Sequence, residues 1–215
     1  MSNRKAESGQ ALLELIVVLP VLLILLMSLV ELGFALRSYL IVVNACREGC
    51  RFAARGRFGE EDVSDRVVSA GGRNSLGDFE YPFLRTATMD DVDPNTAIIV
   101  TNFRTNDLGE PITDTVPLVS GVVPDGSGDV RPADVSDTKV SVDQVLERHR
   151  AATLDVNAAR EAAGYERMGN DIVIVEVLFM HHPLWRNFYA RWAPDPWNMY
   201  ARAEMRVVTD RESAD

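Results

Sequence analysis

Sixteen consecutive residues without a charge, Leu15–Val30, constrain this chain more than any other feature of it. As a helix rising ~1.5 Å per residue the run spans about 24 Å, short of a hydrocarbon core of ~30 Å. Extended to Ala11 and Leu36 it becomes long enough, and Glu14 and Glu31 then fall near opposite interfaces. Carboxylates cost far less there than at the bilayer centre. An amphipathic surface helix would not be apolar on every side. A secretory signal has a shorter apolar part followed by a small-residue cleavage site, and none follows here before Arg37. The pattern predicts a single transmembrane helix. Arg4 and Lys5 precede it and Arg37, Arg47 and Arg51 follow, so positive charge alone does not place the N-terminus in the cytoplasm.

The rest of the chain is ordinary globular material. Of 215 residues, 47% are hydrophobic and 25% charged, enough for one sizeable domain beside an anchor. The net charge is −10, and residues 1–9 contribute +1 to it, so the remainder carries −11. That balance argues against nucleic acid as a partner, which calls for a basic face. Cys46 and Cys50 are four apart, on one helix face but poorly oriented for a disulfide, and CxxxC alone lacks two of the ligands of a structural zinc site. They read as small packing residues.

Downstream of the span, Ala45, Cys46, Gly49, Cys50 and Ala53 recur at three- and four-residue spacing. They predict a continuation of the helix over 37–58, with one small apolar face that a second element can approach closely. Arg47, Arg51 and Arg55 form a separate stripe. Residues 60–70 read as a short helix, 95–103 as a strand, and 113–123 as a second strand that Pro117 demotes to an edge. Residues 124–138, rich in Gly, Pro and Asp, read as an exposed loop. Residues 141–164 read as a helix with an apolar face of Val142, Val145, Leu146, Leu154 and Ala158. The stretch 171–180 is the strongest strand. In 200–208, Arg202, Glu204 and Arg206 alternate outward against Ala201, Ala203, Met205 and Val207, and the two last strands are expected to pair. The fold class is α+β: a long N-terminal helix, its first half transmembrane, packed on an antiparallel sheet.

Little in the sequence carries chemistry. His181 and His182 adjoin at a strand end and point to opposite faces, which suits an ordinary surface or strand-end role better than a shared metal. Asp91, Asp93 and Asn95 open like a calcium loop, but Thr96 stands where glycine is required and Asn102 where the closing Glu belongs. No nucleophile elbow, phosphate loop, HExxH or dinucleotide fingerprint is present. Neither enzymatic activity nor a cofactor or metal is expected. In 183–192, Trp185, Phe188, Tyr189 and Trp192 fall at i, i+3, i+4 and i+7. They make either a cover for the sheet or a surface for a partner or the membrane.

Gly9 followed by Glu14 at the fifth position, after a short basic-polar tail and before an apolar helix, is the pattern of a prepilin leader. The helix contains Pro20, and the block from Ala45 to Ala54, "ACREGCRFAA", is close to A-A-R-E-G-A-R-Y-A-A, with Cys46 and Cys50 in place of Ala and Phe52 in place of Tyr. Over about 50 residues this resembles the TadE-like family of pilin-related proteins from tight-adherence pilus systems. The residue after the glutamate is usually Phe or Tyr in that family and is Leu15 here.

The resemblance implies that a membrane prepilin peptidase cuts between Gly9 and Gln10 on the cytoplasmic side. Residues 1–9 are then a leader, 10–36 the transmembrane helix, and 59–215 an extracytoplasmic domain anchored in the cytoplasmic membrane. It implies a minor pilin or pseudopilin, with other pilins, the peptidase, the inner-membrane platform and the bilayer as partners. Glu14 would meet the new N-terminal amine of a neighbouring subunit and set register, since an unpaired carboxylate in an apolar bundle is costly. Alternatively, Glu14 snorkels to the interface. The runner-up for the whole chain is a permanently anchored single-span binding protein that enters no filament. A third reading, an anchored metal-dependent hydrolase, lacks a proper histidine pair.

Overall fold

The computed structural model describes residues 3–55, 60–72, 83–86, 93–112, 117–125, 129–185 and 196–207. Helix α1 runs Asn3–Ala53 without interruption through Pro20, so the apolar run and the Ala45–Ala53 block are one rod. It is followed by α2 (Glu60–Gly71), β1 (Thr96–Phe103), β2 (Leu118–Pro124), β3 (Val130–Pro132), a 3₁₀ turn at Val135–Asp137, α3 (Val142–Ala162), β4 (Asp171–His181) and β5 (Trp197–Val207). The strands form one antiparallel sheet in the order β3-β2-β1-β4-β5. The expected α+β arrangement is the one observed.

The period-two alternation of β4 splits the molecule into layers. Val173, Val175, Val177 and Phe179 face α1 and α2, where they join Val42, Ala45, Cys46, Cys50, Val63 and Val67 in the main core. Ile172 and Ile174 face the other way and pack with Phe103, Val140 and Val145 in a smaller core under α3. The β4–β5 pairing places Ala201, Ala203 and Met205 opposite Val177, Val175 and Val173, on the α1 side. In β2, Gly121 has φ +98°, and a Cβ there would lie 2.0 Å from the Thr96 carbonyl oxygen of β1. Only glycine lets the two strands close at that point.

Four expectations need correction. Pro117 does not make an edge: it precedes the strand, and β2 is interior because β3 pairs with its far side. The stretch 124–138 is not simply a loop. It contains β3 and the 3₁₀ turn, which Asp134 caps by accepting from Ser136 N while Asp137 accepts from Asp134 N.

The face of α3 is the third. Val145 is buried and Val142 and Leu146 pack against the smaller core as expected, but Leu154 and Ala158 are exposed, and the rest of the buried side is His149, Thr153 and Asn157. Thr153 and Asn157 reach into the loops beside the sheet. Asn157 Nδ2 donates to the Asp107 and Met168 carbonyls at 2.7 and 3.0 Å, its Oδ1 accepts from Met168 N at 3.1 Å, and Thr153 Oγ1 accepts from Asn170 Nδ2 at 3.2 Å. Fourth, Glu204 of β5 is not simply outward: it lies under α3, bonded to His149 Nε2.

Candidate functional site: the joint between the apolar helix and the domain

Helix α1 lives in two environments. Every residue from Leu13 to Val30 is exposed except Met27, which is half-buried. Glu14 is among the exposed ones. Among the described residues α1 is the one helix long and apolar enough to cross a membrane. At Glu31 the pattern changes abruptly. Glu31, Ala35, Ser38, Val42, Ala45, Cys46, Gly49 and Cys50 are buried, a stripe at three- and four-residue spacing that lies against β4, β5 and α2. The opposite side stays bare, with Leu36, Tyr39 and Leu40 exposed.

The Ala45–Ala53 face gains its close approach from three details. A Cβ on Gly49 would come within 2.2 Å of Val67 Cγ2, so α2 lies against α1 at a distance only glycine allows. Cys46 and Cys50 are free thiols, and their Sγ atoms donate to the Val175 and Val173 carbonyls at 3.0 and 3.4 Å. Burial pushes both thiols up to about 12. They are neutral, inert packing groups rather than ligands. Ala45 is fully buried, and Ala53, at the end of the helix, half-buried.

The carboxylate that the apolar run ends on sits inside the protein. Glu31 is 2% exposed. Its Oε1 lies 3.3 Å from His181 Nε2, and its Oε2 accepts from Leu184 N at 3.0 Å. Ser38, seven residues on, lies 3.2 Å from His181 Nδ1. With Nε2–H donating to Glu31 and Nδ1 accepting from Ser38, the ring is satisfied on both sides. Of the two expected roles His181 takes the strand-end one, as the buried last residue of β4, whereas His182 is exposed.

The order Ser–His–Glu has the polarity of a hydrolytic relay, but the setting does not suit one. Ser38 is mid-helix and 6% exposed. The N–H groups of that helical turn are committed to carbonyls one turn back, which leaves none to hold an oxyanion. The arrangement is a polar lock that joins the start of the docked half of α1 to the end of β4.

Other buried polar groups serve the fold. Glu176, fully buried in mid-β4, accepts from Lys139 N at 2.9 Å, Tyr200 Oη at 2.8 Å and Thr138 Oγ1. Asn95 is committed too: its Oδ1 accepts from Arg85 N at 2.9 Å and its Nδ2 donates to the Phe83 carbonyl at 3.0 Å. Among the described residues no group of three or more His, Cys, Asp or Glu side chains could hold a metal ion.

The sequence-predicted positions fall in three places. Gly9 and Gln10 lie in the helical backbone of α1, Glu14 near the start of its exposed half, and Trp185 in the turn beside Glu31. Phe188, Tyr189 and Trp192 lie outside the described residues. Sequence reasoning missed His181 and Leu184 as partners of Glu31, and Ser38 as the second partner of His181. The one available signal was the first carboxylate after an uncharged run.

No curated protein and no solved structure is significantly similar to the chain. A family comparison bears on α1 itself: residues 9–51 match TadE, the family described as TadE-like protein, which is the family that the Gly9–Glu14 spacing and the Ala45–Ala54 block resemble.

Proposed function

We propose that the chain is a minor pilin or pseudopilin that takes part in assembling a tight-adherence pilus. The observation that carries this reading is the division of one continuous helix: a bare apolar half through Val30, then a half docked on a sheet, with the TadE-like match covering both. Residues 1–9 are a leader removed by a prepilin peptidase between Gly9 and Gln10. Residues 10–36 span the cytoplasmic membrane, the helix continues from there to Ala53, and 59–215 belong to the extracytoplasmic domain. Glu14 supplies the charge that pairs with a neighbouring subunit's N-terminal amine and sets register among packed helices. The partners are other pilins, the peptidase and the inner-membrane platform.

The test is the N-terminal mass of protein extracted from membranes with and without the cognate peptidase. A start at Gln10 only when the peptidase is present supports the pilin route and the orientation. An intact N-terminus in both samples, with the protein missing from sheared filaments, overturns it in favour of a permanently anchored binding protein.

A further inference from the structure

The turn after β4 hangs beside the end of the apolar run. Leu184 N is bonded to Glu31 Oε2 at 3.0 Å, so the turn's height is fixed to residue 31 of α1. The twenty residue steps from Ala11 to Glu31 rise about 30 Å, one hydrocarbon thickness. Glu31 therefore marks the boundary of the apolar layer on the domain side, and its charge is taken up inside the protein by His181 and the Leu184 amide.

At that level the turn presents apolar surface. Leu184 is 60% exposed and Trp185 44% exposed, and Leu32 beside Glu31 on α1 is 64% exposed. Arg37 is exposed on α1 about 9 Å further from the bilayer centre, at phosphate height. Leucine and tryptophan at the boundary, with a cation one layer above, is the composition of a membrane-interface anchor.

From this juxtaposition we propose that the Leu184–Trp185 turn seats the domain on the bilayer, with both side chains entering the headgroup–acyl boundary of the leaflet that α1 leaves toward the domain. The occupant is lipid, because the bare surface is continuous with the exposed apolar half of α1 and lies at the height where lipid surrounds that helix. The Glu31–His181–Ser38 lock then sets the depth and tilt of the domain. The proposal rests on α1 spanning the membrane, and its test separates the two.

The full chain is reconstituted in phosphatidylcholine–phosphatidylglycerol vesicles carrying a spin-labelled lipid quencher either near the headgroup or deep in the acyl chain, and tryptophan emission is followed for wild type and Trp185→Phe. Resistance to alkaline extraction reports the span independently. Seating predicts that the shallow quencher removes an emission component in wild type that W185F lacks, that the deep quencher removes less of it, and that Leu184→Asp shifts this component to the red. Equal shallow quenching in wild type and W185F, with aqueous iodide reaching the Trp185 component of an extraction-resistant chain, overturns seating and leaves the span intact. Protection from both quenchers that disappears as protein is diluted in lipid overturns it in favour of a second copy. Release by alkali removes the span and seating together.

Discussion

The two halves of α1 belong to one unbroken helix but differ in composition and in fate. Residues 13–30 bury nothing but half of Met27, whereas the half that begins at Glu31 gives the domain one face of its core. What separates them is spacing. The first half is large and apolar on all sides, so no side of it is marked for docking on the domain, and it is long and apolar enough to cross a membrane. The second confines small residues to one stripe, which a sheet and α2 can approach, and spreads arginines elsewhere.

The largest break in that contrast comes from removing the close approach. Gly49→Val puts branched atoms where a single Cβ already meets Val67 Cγ2 at 2.2 Å. Chemical unfolding of the detergent-solubilised chain should show a loss of roughly 3 kcal/mol, the upper end of overpacking costs. Val42→Ala, at a fully buried position, should cost about 2 kcal/mol as two methyl groups leave the core. Val21→Ala, at a 55% exposed position of the first half, should leave the domain's unfolding midpoint unchanged. A midpoint shift for V21A comparable to that of V42A would erase the distinction between the halves.

The two carboxylates of the helix sharpen it next. Glu31→Ala strands the Leu184 amide and His181 Nε2 in a buried place, and a buried group left unsatisfied costs about 1–3 kcal/mol. The expected outcome is a domain that melts earlier by that amount. Glu14→Ala should leave domain unfolding untouched and, if Glu14 sets register, reduce the amount of protein recovered in sheared filaments. Filament recovery equal to wild type for E14A would reduce Glu14 to an interfacial side chain.

Glu31 also marks how far the sequence could be read. The end of the apolar run, the small-residue face and the strand 171–181 were legible because each is a local pattern: charge-free length, three/four spacing, a continuous β-branched run. Glu31's role was not, because its partner His181 lies 150 positions away and nothing near either residue names the other. The α3 face misled for a related reason. Apolar periodicity selects Leu154 and Ala158, but this helix turns Thr153 and Asn157 inward to hold loop groups and His149 inward to meet Glu204 of β5. Strand β3, three residues long, is held by pairing with β2 rather than by any propensity of its own.

A subtler effect follows from the buried thiols. With Cys46 and Cys50 pushed up to about 12 by burial, from an ordinary 9.0, the folded state holds their protons where the unfolded chain releases them. A raised value stabilises fully below the ordinary one, so stability should fall as pH climbs from 9.0 toward about 12. Tyr200, raised by burial and by its bond to the Glu176 carboxylate, acts in the same direction. At pH 8 a maleimide should label neither cysteine in the native protein and both after unfolding. Rapid native labelling would mean that the docked half of α1 opens as readily as the bare half lies open.

The smallest expected effect lies at the rim of the same contact. Glu48 of α1 accepts from Arg66 of α2 at 2.6 Å, with both side chains partly exposed at the rim, and that bond holds the carboxyl below its ordinary value of 4.5. A lowered value stabilises above the ordinary one and is lost as pH falls through it, so the contribution of this pair should vanish in acid. Exposed pairs are screened and pay side-chain entropy, so Glu48→Gln should move the unfolding midpoint only marginally, and less still in high salt. Gly49, the next residue, should outweigh it many times over, because the α1–α2 contact is set by how near the backbones come and the rim charges only decorate it. A Glu48→Gln effect as large as that of Gly49→Val would reverse that order and make charge, not proximity, the reason the second half of α1 docks.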